Sequence, residues 1–207
     1  MAPKYPASLA LVAEGLSAAR GYRVLFERLS LRVSAGEVME LRGPNGSGKS
    51  TLLRILAGLT QAAAGSVRIE GEVRDVQRRY LGHLDAVKPT ETALEQLTFW
   101  ARFHGRPQTV AEDALAAVGL ASRADVPGRG LSAGQKRRLA LGRLIVDPCP
   151  IWLLDEPVAA LDVDGRALVE RLIAGHVADG GLVIAAMHGS GFPDARTLDL
   201  SPAPVAA

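Results

Sequence analysis

The chain has 207 residues, 24 Lys and Arg against 22 Asp and Glu for a net charge of +2, and 48% hydrophobic residues; this balance belongs to a folded globular protein of one ordinary domain and excludes a disordered chain. No apolar run reaches the length of a membrane-spanning helix, and Lys4 followed by the short apolar stretch from Ser8 to Ala13, closed by Glu14, makes a poor secretory signal, so the expected location is the cytoplasm. A single cysteine, Cys149, allows no internal disulfide, and the mild basicity lacks the dense Lys/Arg stripe of a nucleic-acid binder.

In chain order, strands are predicted at Leu9–Val12 and Val24–Val33, the second with Leu29, Leu31 and Val33 alternating against polar residues. Ala35-Gly36 then forms a turn, and a strand at Val38–Leu41 runs into a glycine-rich loop, Gly43–Gly48. Leu52, Ile55, Leu56 and Leu59 fall at i, i+3, i+4 and i+7, which predicts a helix with one apolar face and Gly58 at its C-terminal cap. Gly65–Val73 alternates as a strand with a turn at Gly71. From Thr90 to Val146 the period is helical, with Leu94, Leu97 and Thr98 on one face and Leu115, Ala116 and Val118 in a later segment, so a helical insertion of about residues 90–147 is expected. Ile151–Leu154 and Leu182–Met187 are continuous apolar runs suited to a parallel sheet covered on both faces, and a Pro-containing tail from Ser201 is expected to fray.

Gly43-Pro44-Asn45-Gly46-Ser47-Gly48-Lys49-Ser50 lies between a predicted strand and a predicted helix and has the spacing Gly, four residues, Gly-Lys-Ser. Such a loop turns successive backbone N–H groups toward phosphate oxygens, and the helix behind it adds its partial positive charge. Lys49 would reach the β- and γ-phosphates and the Ser50 hydroxyl would hold Mg²⁺, which makes Gly43 through Thr51 the candidate nucleotide-binding segment. Ile151-Trp152-Leu153-Leu154-Asp155-Glu156 is a buried strand ending in two carboxylates, costly there without a cation or water to meet them. Asp155 suits Mg²⁺ held through its hydration shell, and Glu156 suits orientation or deprotonation of an attacking water.

Leu131-Ser132-Ala133-Gly134-Gln135 precedes a helical segment containing Leu141, Leu144 and Ile145, and Ser132 with Gln135 has capping-box spacing. These residues also resemble the signature sequence of ATP-binding cassette (ABC) ATPases, placed between the phosphate loop and Asp155 as in that family. Ala159-Ala160-Leu161-Asp162 looks like the family's D-loop, and His188 after the second apolar strand looks like its switch histidine. The resemblance runs from Gly43 to His188. It implies an α/β phosphate-loop NTPase of ABC type, with an N-terminal antiparallel β-subdomain, a mainly parallel core sheet and an inserted helical subdomain. It further implies ATP and Mg²⁺ as ligands, a hydrogen bond from His188 to the γ-phosphate, and a head-to-tail sandwich in which Ser132, Gly134, Gln135 and Asp162 face ATP held by a second copy.

Two positions depart from the family pattern. The aromatic residue that stacks on adenine aligns with Arg20, with Tyr22 close by; arginine can stack too. The glutamine that senses the γ-phosphate aligns with Leu84, since Gln77 lies too early, and His83 or Asp85 could take its place. Tyr80-Leu81-Gly82-His83-Leu84-Asp85-Ala86-Val87-Lys88-Pro89, with Thr92-Ala93-Leu94-Glu95-Gln96-Leu97 and Phe99-Trp100, is similar to the cytochrome c maturation ATP-binding subunits, the CcmA family. That similarity implies a peripheral subunit on the cytoplasmic face of the bacterial inner membrane, docked on integral-membrane partners of the CcmB, CcmC and CcmD type, with ATP driving haem export or release of a haem-loaded chaperone. The alternative is the ATPase subunit of another small ABC transporter. A translation-type protein with two cassettes and a repair-type protein with a long coiled coil are both excluded by length and pattern, and Glu156 argues against a nucleotide binder without turnover. The triplets Gln77-Arg78-Arg79 and Lys136-Arg137-Arg138 are expected to be solvated faces.

Overall fold

The computed structural model describes residues 3–71, 77–189 and 191–201. The chain forms two compact units, one of Met1–Tyr80, Pro150–Glu156 and Ile173–Ala207, the other of Leu81–Cys149 and Pro157–Leu172.

The first unit begins with β1 (Ala10–Arg20) and β2 (Arg23–Ser34), joined by the two-residue turn Gly21-Tyr22, followed by β3 (Val38–Arg42), α1 (Lys49–Leu56), β4 (Ala64–Glu70) and β5 (Arg78–Leu81). β1 pairs antiparallel with both β2 and β4 in a three-stranded sheet. The strand predicted at Leu9–Val12 extends much further. Its period breaks where the register shifts between Ala13 and Leu16, and there Gly15 adopts φ +61° and donates its N–H to Ser30 Oγ at 2.9 Å. A bulge of this kind lets a strand continue through a glycine that reads as punctuation in the sequence. The strand predicted at Gly65–Val73 ends at Glu70, and Val73 lies outside the described residues.

A second sheet has the order β5-β6-β7-β3-β8, with β6 (Ile151–Asp155), β7 (Leu182–Ala186) and β8 (Arg196–Asp199). β3 is parallel to β7 and β8, and β6 is parallel to β7. Every residue of β6 and β7 is buried, as their unbroken apolar runs require. Leu41 pairs with Ala186 and Asp155 also pairs with Ala186, so the segments leaving β3, β6 and β7 emerge side by side on one edge. In parallel sheets that carboxyl edge is where ligands bind.

α1 packs on β6 and β7 through Leu52, Leu53, Ile55 and Leu56. Burial of each such side chain contributes about 1.5–3 kcal/mol. The helix stops earlier than its apolar spacing suggests: Ala57 is its cap, Gly58 follows at φ +74°, and Leu59 lies beyond it at 63% exposure. Arg78 donates from Nη1 to the Leu56 carbonyl at 2.7 Å, satisfying a free C-terminal acceptor, so it is not part of a solvated face. β5, β8 and α5 (Val163–Ala178) have no counterpart in the sequence reading. The two strands are four residues each, and α5 spreads apolar residues too evenly around its circumference to show a stripe.

The second unit contains α2 (Ala93–Phe103), α3 (Thr109–Ala117) and α4 (Ala133–Val146), which pack on one another. Leu97, Thr98, Leu115 and Val118 are buried as their spacing predicts, whereas Ala116 is exposed. Thr92 and Glu95 form a reciprocal capping box on α2, and the two hydrogen bonds from Thr92 hold the Glu95 carboxyl below its ordinary range. Arg137, expected to be solvated, is 2% exposed: it donates to the carbonyls of Gly82 and Pro157 and pairs with Asp85 at 3.0 Å. Arg138 pairs with Asp162 at 3.0 Å on the exposed side of this unit, so within the Lys136–Arg138 triplet it is Arg137 alone that departs from a solvated face. Cys149 is buried.

Candidate functional site

The phosphate loop leaves β3 at Arg42 and enters α1 at Lys49. Whereas α2 and α4 begin with side-chain caps, α1 begins at Gly48 with no side-chain hydrogen bond to its first-turn N–H groups. Those donors and the positive end of the helix dipole are therefore left for an anion. Gly48 has φ +105°, and a Cβ there would stand 3.1 Å from both Leu25 and the Phe26 ring, so the close approach of β2 requires glycine at this position.

Lys49 is 6% exposed, and its ammonium donates to the carbonyls of Gly43 at 2.7 Å and Pro44 at 3.1 Å, which folds it back over its own loop. The Ser47 hydroxyl is buried without a hydrogen-bond partner. An uncapped helix start, a buried ammonium and an orphaned hydroxyl in one loop make a cradle suited to phosphate oxygens.

A cleft of about 300 Å³ opens over this loop, lined by Arg20, Arg23, Asn45, Lys49, Glu156 and His188, together with Leu25, Gly46, Gly48, Ser50 and Thr51. Arg20, aligned with the adenine-stacking position, lines it. Tyr22 does not line it; it sits at the tip of the β1–β2 turn, fully exposed. Arg23 was not singled out by the sequence. It faces Arg20 across the turn, and its Nη1 lies 3.6 Å from where a Gly46 Cβ would be, so two guanidiniums overlook the loop. The spacing between Arg20 and Arg23, with a two-residue turn between them, was the signal available for this pairing.

Asp155 ends β6 at 3% exposure and accepts a hydrogen bond from the Tyr80 hydroxyl at 3.2 Å. Burial, with the Asp155 charge assisting, pushes the Tyr80 hydroxyl pKa above its ordinary value against the opposing pull of Arg54, so it stays a donor. Glu156 follows in the left-handed region at φ +52°, with its N–H donating to Ala186 O at 3.1 Å. For a non-glycine residue this conformation costs about 1–3 kcal/mol and persists only where the surroundings impose it, as happens at functional sites. The turn brings the Glu156 carboxylate to 3.2 Å from His188 Nε2. A carboxylate and an imidazole over a phosphate cradle can accept and relay a proton.

In the second unit Ser132 and Gln135 form a complete capping box on α4: Ser132 Oγ accepts from Gln135 N at 3.2 Å, and Gln135 Oε1 accepts from Ser132 N at 3.0 Å. Gly134 passes so close to the Ala159–Asp162 segment that a Cβ would lie 3.0 Å from Ala160 O. Asp162 Oδ1 accepts from Gly165 N at 2.8 Å and from Arg138, and these bonds hold its carboxyl below the ordinary range. Leu84 is 81% exposed, and the Asp85 carboxylate beside it is engaged by Arg137. α2 presents Phe99 and Phe103 at 49% and 70% exposure, with Trp100 edge-on to both. Among the described residues no helix is long and apolar enough to cross a membrane.

The chain matches the ABC transporter family over residues 26–159. It is 47% identical, over 86% of its length and 91% of the relative's, to the cytochrome c biogenesis ATP-binding export protein CcmA of Rhodopseudomonas palustris strain HaA2. To the CcmA of Methylococcus capsulatus it is 46% identical over 92% of this chain and 98% of the other. Among solved structures it resembles an ABC transporter ATP-binding protein from Pyrococcus furiosus, with TM-score 0.78 at 23% identity over 92% of this chain and 97% of that one. It also resembles a dimeric ATP-binding cassette in a post-hydrolysis state bound to ADP and Pi, with TM-score 0.75 at 24% identity over 86% and 88% of the two chains. These two likenesses establish the fold, and the sequence relatives establish the rest: the chain belongs to the ABC transporter family, among the cytochrome c biogenesis ATP-binding export proteins.

Proposed function

We propose that this chain is the ATP-hydrolysing subunit of a membrane ABC complex of c-type cytochrome biogenesis, held on the cytoplasmic face of the inner membrane by integral-membrane subunits of the CcmB, CcmC and CcmD type. The observation that carries the chemistry is the Glu156–His188 contact at 3.2 Å in the cleft over the phosphate loop. The biological role rests on the kinship with export proteins of that name.

ATP enters with its phosphates on the Gly43–Thr51 segment. The α1 N–H groups and the Lys49 ammonium take the phosphate oxygens, and Arg20 and Arg23 add charge at the mouth of the cleft. The Ser50 hydroxyl and the Asp155 carboxylate would hold Mg²⁺, which when bound neutralises charge on the β- and γ-phosphate oxygens. Glu156 orients the attacking water and accepts its proton, and His188 donates to a γ-phosphate oxygen. In a head-to-tail pair of copies, Ser132, Gly134, Gln135 and Asp162 of one would close over ATP on the other. ATP then clamps the pair and hydrolysis releases it. The exposed aromatic face of α2 is the surface proposed to receive the membrane subunits, whose movement is coupled to haem export or to release of a haem-loaded chaperone.

Purification of the tagged chain from detergent-solubilised membranes tests the assignment. Co-elution with haem-handling membrane subunits is expected. Co-elution with an unrelated permease would retain the ATPase and discard the cytochrome role.

A further inference from the structure

The strand leading into the phosphate loop carries two charges that the nucleotide site does not use. Glu40 lies in β3 at 2% exposure and Arg42 ends the strand; the period of two puts them on one face. Arg42 closes on Glu40 Oε2 with Nε at 2.9 Å and Nη2 at 2.5 Å. Glu40 is enclosed while Arg42 keeps part of its side chain exposed, and a carboxylate that has lost its water is poor ground for stability. The remaining polar atoms of this pair go instead to the backbone of one loop. Arg42 Nη1 donates to the Gly189 carbonyl, and Glu40 Oε1 accepts from the Phe192 N–H. Between these anchors Gly191 passes so near that a Cβ would stand 2.5 Å from Arg42 Nη2 and 2.6 Å from both Glu40 carboxylate oxygens.

That loop follows His188 directly. The imidazole is 43% exposed, so packing around the ring does little to hold it, and its place over Glu156 depends on the backbone that carries it. β3 and β7 are parallel neighbours, so the pair bridges the segments that leave two adjacent strands: Gly43 comes immediately after Arg42, and His188 comes two residues after β7.

We propose that Glu40 and Arg42 are positioning residues for ATP hydrolysis, fixing the backbone after His188 against the base of the phosphate loop so that the imidazole meets Glu156 and the γ-phosphate. This rests on the assignment of Glu156 and His188 given above. Neither Glu40 nor Arg42 lines the cleft over the phosphate loop. Their loss therefore slows turnover and leaves ATP binding in place.

The test is a mutant cycle on the purified full chain, reading ATP turnover and KM for wild type, Glu40→Gln, Gly191→Ala, His188→Ala and the Glu40→Gln/His188→Ala double variant. Each single variant is expected to lower kcat about tenfold or more with KM for ATP within about threefold, and the double variant to be no slower than His188→Ala alone. Should Glu40→Gln not fold, Gly191→Ala paired with His188→Ala completes the same cycle, since its added Cβ presses the loop away from the Glu40–Arg42 pair while both charges are kept. Wild-type kcat in Glu40→Gln and Gly191→Ala beside a slow His188→Ala would overturn the proposal, as would multiplicative losses in the double variant. Wild-type turnover in His188→Ala would remove the histidine assignment first and the proposal with it.

Discussion

His188 Nε2 stands 3.2 Å from Glu156 Oε1, and the carboxylate reaches it because Glu156 leaves β6 in the left-handed conformation. One residue earlier Asp155 is still in the strand, buried and bonded to Tyr80. Two adjacent carboxylates are thus sent to different environments by one backbone reversal, Asp155 toward the Tyr80 hydroxyl and Glu156 toward the His188 imidazole.

Removal of the proton acceptor separates binding from chemistry. Glu156→Gln is expected to lower ATP turnover about 10²–10⁴-fold while nucleotide affinity stays within a few-fold, and ATP then holds two copies together. Turnover assays beside nucleotide titration and light scattering read both effects.

Lys49→Ala acts at the binding step. The ammonium is buried and already donates to two carbonyls of its own loop, so the variant loses a phosphate partner and part of the loop's internal support. ATP affinity is expected to fall about tenfold or more in equilibrium titration, in line with loss of a charge-assisted hydrogen bond.

The hairpin tip predicts nucleotide binding that is sensitive to salt. Arg20 and Arg23 are exposed and line the mouth of the cleft. Arg20→Ala/Arg23→Ala is expected to weaken ATP binding several-fold at low salt and to converge with wild type at about 1 M, where the screening length is about 3 Å.

The candidate motifs are legible because each is local in the chain. The Gly43–Ser50 loop, the Asp155-Glu156 pair and the Ser132–Gln135 cap each occupy a few consecutive residues with a fixed spacing. The Glu40–Arg42 clamp was not legible. Its partners, Gly189 and Phe192, are about 150 residues away in sequence and contribute only backbone groups, which no pattern of side chains reports. Arg137 escapes the sequence pattern for the converse reason: it sits in a charged triplet, yet Asp85 and two carbonyls satisfy it inside the second unit. The bulge in β1 interrupts its period, and α5 lacks an apolar stripe.

Acid should weaken the fold through His176. Burial lowers its pKa from the ordinary 6.5 to about 4, outweighing hydrogen bonds to Pro150 and Leu182 and the nearby Asp179 charge; the ring stacks on Trp152 at 3.9 Å. The folded state therefore keeps this ring neutral where the unfolded state takes up a proton. Its contribution is intact above about pH 6.5 and is lost progressively as pH falls toward 4, with a maximum slope of about 1.4 kcal/mol per pH unit. His176→Phe preserves the stacking and removes the proton. Denaturant titrations of that variant are expected to show a shallower loss of stability across this window, and an unchanged slope would assign the acid sensitivity elsewhere.

The most direct measurement of the central claim is the content of covalently haem-bound c-type cytochromes in cells lacking this gene and supplied with wild type, Lys49→Ala or Glu156→Gln. The account predicts that wild type restores the cytochromes and that neither variant does, although both accumulate as folded protein. Full restoration by Glu156→Gln would contradict it, because cytochrome formation would then proceed without the hydrolysis proposed for Glu156.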